Sequence, residues 1–126
     1  MTITIKTVSH SNQRYCTVGD WSFDKKGNLT IKVSDMKNKW YFCLVAIHEL
    51  IEAILCEKRG ITDASVTKFD EKFEKIRTYR NYMDEPGDEP DAPYENEHCI
   101  ATGIERTFCS ALGIKWKLYE RAVNAL

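Results

Sequence analysis

His48-Glu49-Leu50-Ile51-Glu52 sets an imidazole and two carboxylates inside an otherwise apolar run, WYFCLVAIHELIEAILC, spanning residues 40–56. Tyr41, Cys43 and Cys56 are the only other ionisable groups in that run. At about 100° per residue, a helix brings His48 and Glu52 within roughly 40° of each other, so an imidazole nitrogen and a carboxylate oxygen can grip one ion. Glu49 then falls beside the ion's open position. A carboxylate placed there accepts a proton from metal-bound water, whose pKa zinc lowers to about 7. The ion needs a third ligand, and His98 is the candidate because it opens a second helical pattern. Glu105, two turns on, falls within about 20° of it on the same face. His10, in the polar turn His10-Ser11-Asn12-Gln13, is expected to lie outside. The expectation is therefore zinc or another divalent transition metal held by His48, Glu52 and His98, with Glu105 as an additional ligand and Glu49 as catalytic base. The competing expectation is an ion-free, hydrogen-bonded pair of His48 and Glu52, since buried charged groups must pair, neutralise or bind a cation.

The elements that must position these residues follow from periodicity. Ile3 and Ile5 alternate with Thr2, Thr4 and Lys6, the pattern of a half-buried strand, and Tyr15 to Val18 reads as a short extended piece. Trp21 and Phe23, then Leu29, Ile31 and Val33, alternate with polar residues around the turn Lys25-Lys26-Gly27-Asn28, which predicts a β-hairpin. Ser34 or Asp35 is expected to cap the metal helix, 37–59, which ends near Gly60. From Thr62 a second helix has an inner stripe of Val66, Phe69, Phe73 and Ile76, with Asp70, Glu71, Lys72, Glu74 and Lys75 outward. Met83 to Pro93 holds all three prolines and is expected to be an irregular loop. Ile100, Ala101, Ile104, Phe108 and Leu112 make the inner stripe of a helix over 94–112, stopped by Gly113. Trp116, Tyr119, Ala122 and Val123 make a short last one. The fold class is α+β, in a single domain over 1–126: a small N-terminal, mainly antiparallel sheet, a central buried helix and three further helices.

Composition narrows the classes. Hydrophobic residues make up 43% and charged residues 29%, as in ordinary soluble globular domains. The net charge of −1 conceals a segregation, because 84–97 holds seven acids and no base and leaves the remainder basic. No basic stripe interleaved with aromatics stands out, which argues against nucleic acid as main partner. Five cysteines without CxxC spacing point to reduced, structural thiols in a cytoplasm. The N-terminus lacks the pattern of a signal peptide, and the 40–56 run is too short and too acidic to span a membrane.

His48-Glu49-xx-Glu52 resembles the metal helix of zincin metallopeptidases, HExxH, with glutamate in place of the second histidine. The order strands, hairpin, metal helix and later ligand helix is similar to a minimal zincin core. That likeness implies His48, Glu52 and His98 as ligands, Glu49 as base, and the 29–34 strand as the edge along which an extended peptide would lie. AIHELIEA, GDEPDAPY and EHCIATGIER together also resemble a family of small uncharacterised proteins of tailed phages and prophages, over nearly the whole chain, which implies a host cytoplasm. Two other readings stay open. Glu49-xx-Glu52 followed by Glu71-xx-Glu74 resembles the acidic helices of magnesium-dependent nucleotide pyrophosphohydrolases of the MazG type, although Glu71 and Glu74 are expected to face water. A non-catalytic protein that binds or sequesters a host factor or nucleotide is the other, with the acidic 84–97 loop as its contact surface for a basic partner.

Overall fold

The computed structural model describes residues 1–77 and 84–126. Three strands come first, β1 (Ile3–Val8), β2 (Gly19–Phe23) and β3 (Leu29–Ser34). Four helices follow, α1 (Lys39–Lys58), α2 (Asp63–Ile76), α3 (Glu95–Ala111) and α4 (Trp116–Asn124), with a 3-10 turn at Pro86–Asp88 before α3. The architecture is α+β, as the period-2 and period-3.6 segments require.

The sheet departs from expectation in two ways. Its order is β1-β3-β2, and β1 runs parallel to β3, with Ile3 opposite Leu29 and Val8 opposite Ser34. Only the β2–β3 hairpin is antiparallel. The sheet is therefore mixed, and β3 is its centre and not an edge. β1 is also exposed along most of its length on both faces, so it is an edge strand and not a half-buried one. The alternation of Ile3 and Ile5 gave the strand its period but could not say that no helix covers it.

Leu29, Ile31 and Val33, on one face of β3, are fully buried with Leu44, Ala53 and Cys56 of α1. Each of the four branched aliphatic side chains contributes roughly 1.5–3 kcal/mol on leaving water, and together they fix α1 across the sheet. The cap of α1 is Asn38, whose Oδ1 accepts from the Trp40 and Tyr41 amides at 3.0 and 3.2 Å, instead of Ser34 or Asp35. Ser34 is the last residue of β3, which ends where the hairpin pattern placed it, so it is not available as a cap. At the other end Gly60 takes φ +73°, and Ile61 N donates to Cys56 O at 2.9 Å, closing the helix with a left-handed residue that glycine adopts freely.

Two helical faces are corrected. Asp70 is buried in α2, where it accepts from two tyrosines, and Ile76 is exposed at the helix end. In α3 the inner face is Glu97, His98, Ala101, Glu105 and Cys109, while Ile100, Ile104 and Phe108 are exposed. Both faces have helical period. Hydrophobicity alone chose the wrong one, because the polar face is buried by pairing and not by greasiness. Met83 lies outside the described residues; the stretch from Asp84 to Pro93 is largely irregular apart from the 3-10 turn.

Candidate metal centre

α1 and α3 pack antiparallel, as the order of their side-chain contacts shows: Arg59 meets Glu97, Glu52 meets His98, and His48 meets Glu105. The i,i+4 pair on α1 thus meshes with the i,i+7 pair on α3. Three donor atoms converge. His48 Nε2 lies 3.3 Å from Glu52 Oε2 and 3.2 Å from His98 Nδ1, and His98 Nδ1 lies 2.9 Å from Glu52 Oε2. Bonds of about 2.0–2.1 Å to a tetrahedral ion put neighbouring ligand atoms roughly 3.3 Å apart, close to these three edges.

The far atom of every donor group faces a partner. His48 Nδ1 faces Glu105 Oε1 at 2.9 Å, and Tyr119 donates to the other oxygen of Glu105 at 2.5 Å. Trp21 Nε1 donates to Glu52 Oε1 at 2.9 Å. His98 Nε2 lies 2.9 Å from Glu85 Oε2 and 3.5 Å from Asp88 Oδ1, near enough for ion contact yet without the alignment of a hydrogen bond. Gly87 sits directly on the His98 ring, where a Cβ would come 2.3 Å from Cγ. Such outer partners fix the tautomer and orientation of a metal-binding histidine. An ionised carboxylate only accepts, so the nitrogen facing it carries the proton. With an ion among the three inner atoms, His48 would carry its proton at Nδ1 and His98 at Nε2, each facing an outer carboxylate; without one, His98 Nδ1 is hydrogen-bonded to the Glu52 carboxylate at 2.9 Å.

So close an approach of these three atoms needs positive charge among them, as ring protons or as a cation. The surroundings supply the demand for it. Burial works against a charged imidazole, but Glu105 and Glu52 outweigh it and hold His48 well above its ordinary pKa. His98 is likewise raised against its own burial by Asp88, Glu52 and Glu85. Glu52 stays ionised despite burial, pulled down to about 2 by His48 and His98. The well is filled by two protons or by one divalent cation. Protonating both rings leaves two positive groups 3.2 Å apart, whereas a cation satisfies all three donors at once.

No family model, curated protein or solved structure matches the chain. The site must therefore be read from its own geometry.

His48, Glu52 and His98 are brought together as the spacing suggested. Glu105 is not beside the other donor atoms: in the antiparallel pair it lies two turns beyond His98 and reaches the opposite nitrogen of His48. Glu49 is buried and lines the same cavity, of about 280 Å³. Burial and the charge of Glu52 push its carboxyl well above the usual range. Gly19 of β2 is packed on it, with room for no Cβ, which would sit 2.5 Å from Oε1. His10 also borders the cavity but contacts Ser34 Oγ, 2.9 Å away, and takes no part in the cluster. Glu71 is exposed and Glu74 pairs with Arg77, and neither joins a metal-capable cluster among the described residues.

The strand nearest the site is β2, not β3. Its free edge carries the backbone groups of Gly19, Trp21 and Phe23, because Val18 O points inward to Ser34 N. Asp63 of α2 accepts from Phe23 N at 3.1 Å, and Thr17 donates to Gly19 O at 2.6 Å. Two of that edge's backbone groups are thus already engaged, and the 29–34 strand is no substrate edge, because β3 is paired on both sides as the centre of the sheet.

Sequence reasoning missed Trp21, Tyr119, Glu85 and Asp88 as partners of the cluster. The short acidic turn PGD ahead of an EH pair was the available signal for the last two. Trp21 and Tyr119 gave none, since indole and phenol donors in apolar stripes read as core.

Proposed function

We propose that this chain is a metal-dependent hydrolase of zincin-like plan, using zinc or a similar divalent transition metal. The observation that carries the reading is the triangle of His48 Nε2, Glu52 Oε2 and His98 Nδ1, with edges of 2.9–3.3 Å and the far atoms of His48 and Glu52 held by Glu105 and Trp21. A bound ion supplies a Lewis acid and an acidified water. Glu49 receives the water's proton; burial and the charge of Glu52 raise its pKa, which makes its carboxylate a stronger base. Gly19 holds Glu49 in place by close packing. Tyr119 and Glu105 hold His48 by its Nδ1 side, which leaves Nε2 aimed inward.

The substrate presents its scissile carbonyl into the cavity beside β2, two of whose outer backbone groups are already engaged. The test is Glu49→Gln in zinc-loaded protein against a panel of short peptides and acylated amines. Hydrolysis should fall by about two to four powers of ten while zinc content stays as in the unmodified protein. If Glu49→Gln loses the ion as His48→Ala does, Glu49 is a ligand and the reading fails.

A further inference from the structure

His98 uses only one of its two nitrogens in the triangle. Its Nε2 points the other way, toward the turn of Pro86–Asp88, and meets Glu85 Oε2 at 2.9 Å and Asp88 Oδ1 at 3.5 Å. The ring is 95% buried, the atom is inaccessible to water, and it makes no hydrogen bond of acceptable geometry. A buried imidazole nitrogen close to two carboxylates, yet aligned with neither for a bond, is placed as a ligand atom is. The three atoms form a second group whose members all lie within 4.8 Å of one another.

Glu85 and Asp88 differ from the inner donors in being exposed, which leaves room for water to complete a coordination sphere. Gly87 locks the turn that carries them onto the His98 ring, so their distance from Nε2 is set by packing as well as by attraction. On this evidence of geometry we propose that the chain binds a second divalent transition-metal ion at His98 Nε2, Glu85 and Asp88, and that His98 bridges it to the ion of the inner triangle. The proposal rests on the inner site described above. Binding displaces the Nε2 proton to solvent and leaves His98 as an imidazolate, with two metal–nitrogen bonds of about 2 Å on opposite sides of the ring. The two ions then stand roughly 6 Å apart.

The experiment counts zinc bound per chain after equilibrium dialysis, for the full chain and for Glu85→Gln/Asp88→Asn, and records the electron paramagnetic resonance of copper-loaded protein. The expected result is two equivalents in the unmodified chain and one in the double variant. Two coppers bridged by His98 should couple, so the signal at two equivalents is smaller than twice that at one. One equivalent in the unmodified chain overturns the second site and leaves the inner one standing, with Glu85 and Asp88 as orienting groups. Two equivalents retained in the double variant, or two uncoupled coppers, also overturn it. No zinc bound at all overturns both sites.

Discussion

Glu52 and Asp70 are both buried carboxylates on the wall of one cavity, and their surroundings drive them to opposite states. Glu52 faces two imidazoles and an indole; the imidazoles can carry positive charge, and its carboxyl is held at about 2 despite burial. Asp70 faces the hydroxyls of Tyr15 and Tyr94, which donate hydrogen bonds but no charge, and burial lifts it to about 6. Equal burial therefore does not mean equal chemistry. A carboxylate among groups that accept protons or share a cation becomes part of a cation site. One among phenols becomes a structural bridge, here joining the Tyr15 segment, α2 and the start of α3.

The contrast is broken most severely by removing charge from Glu52. Glu52→Gln should weaken zinc by more than the roughly ten- to hundredfold that loss of an outer partner costs, read by competition with a chromophoric chelator. Glu105→Gln should cost about that ten- to hundredfold itself, because His48 loses the charged acceptor that fixes its tautomer. Tyr119→Phe, one step further out, should cost less than Glu105→Gln in the same titration.

Asp70→Asn sharpens the comparison from the other side: it should leave zinc affinity unchanged and alter stability alone. The folded-state pKa of Asp70 is raised, so its stabilising contribution is complete below the unfolded value near 3.9 and is lost as pH rises through about 6. The unmodified protein should thus lose stability relative to Asp70→Asn between about pH 4 and pH 7, by at most about 3 kcal/mol. Urea melts of zinc-free protein across that range check the sign. A relative gain with rising pH would show that Asp70 is ionised at no cost in the fold.

The same two residues explain what the sequence made legible. Glu52 stood out because an acid in the middle of an all-apolar helix has no solvent face to turn to, and its spacing from His48 named the partner. Asp70 lay in a run of alternating charges, Asp70-Glu71-Lys72, where nothing marks one acid as buried; only the tyrosines brought by distant segments decide it. The exposed Ile100, Ile104 and Phe108 of α3 mislead for the reciprocal reason. Strand positions and the hairpin followed from local alternation, whereas the parallel pairing of β1 with β3 depends on the path of residues 9–18, which carry no periodic signal. His98 was found by being the histidine on another helix. The face on which it sits was not.

X-ray absorption at the zinc edge, on protein loaded through the inner site, tests the central claim most directly. Five cysteines are free in the fold, and thiolate is the obvious rival ligand for zinc. The account predicts only nitrogen and oxygen neighbours at about 2.0–2.1 Å, with imidazole outer-shell scattering that disappears in part in His48→Ala. Sulfur at about 2.3 Å, or a spectrum unchanged by His48→Ala, would contradict it.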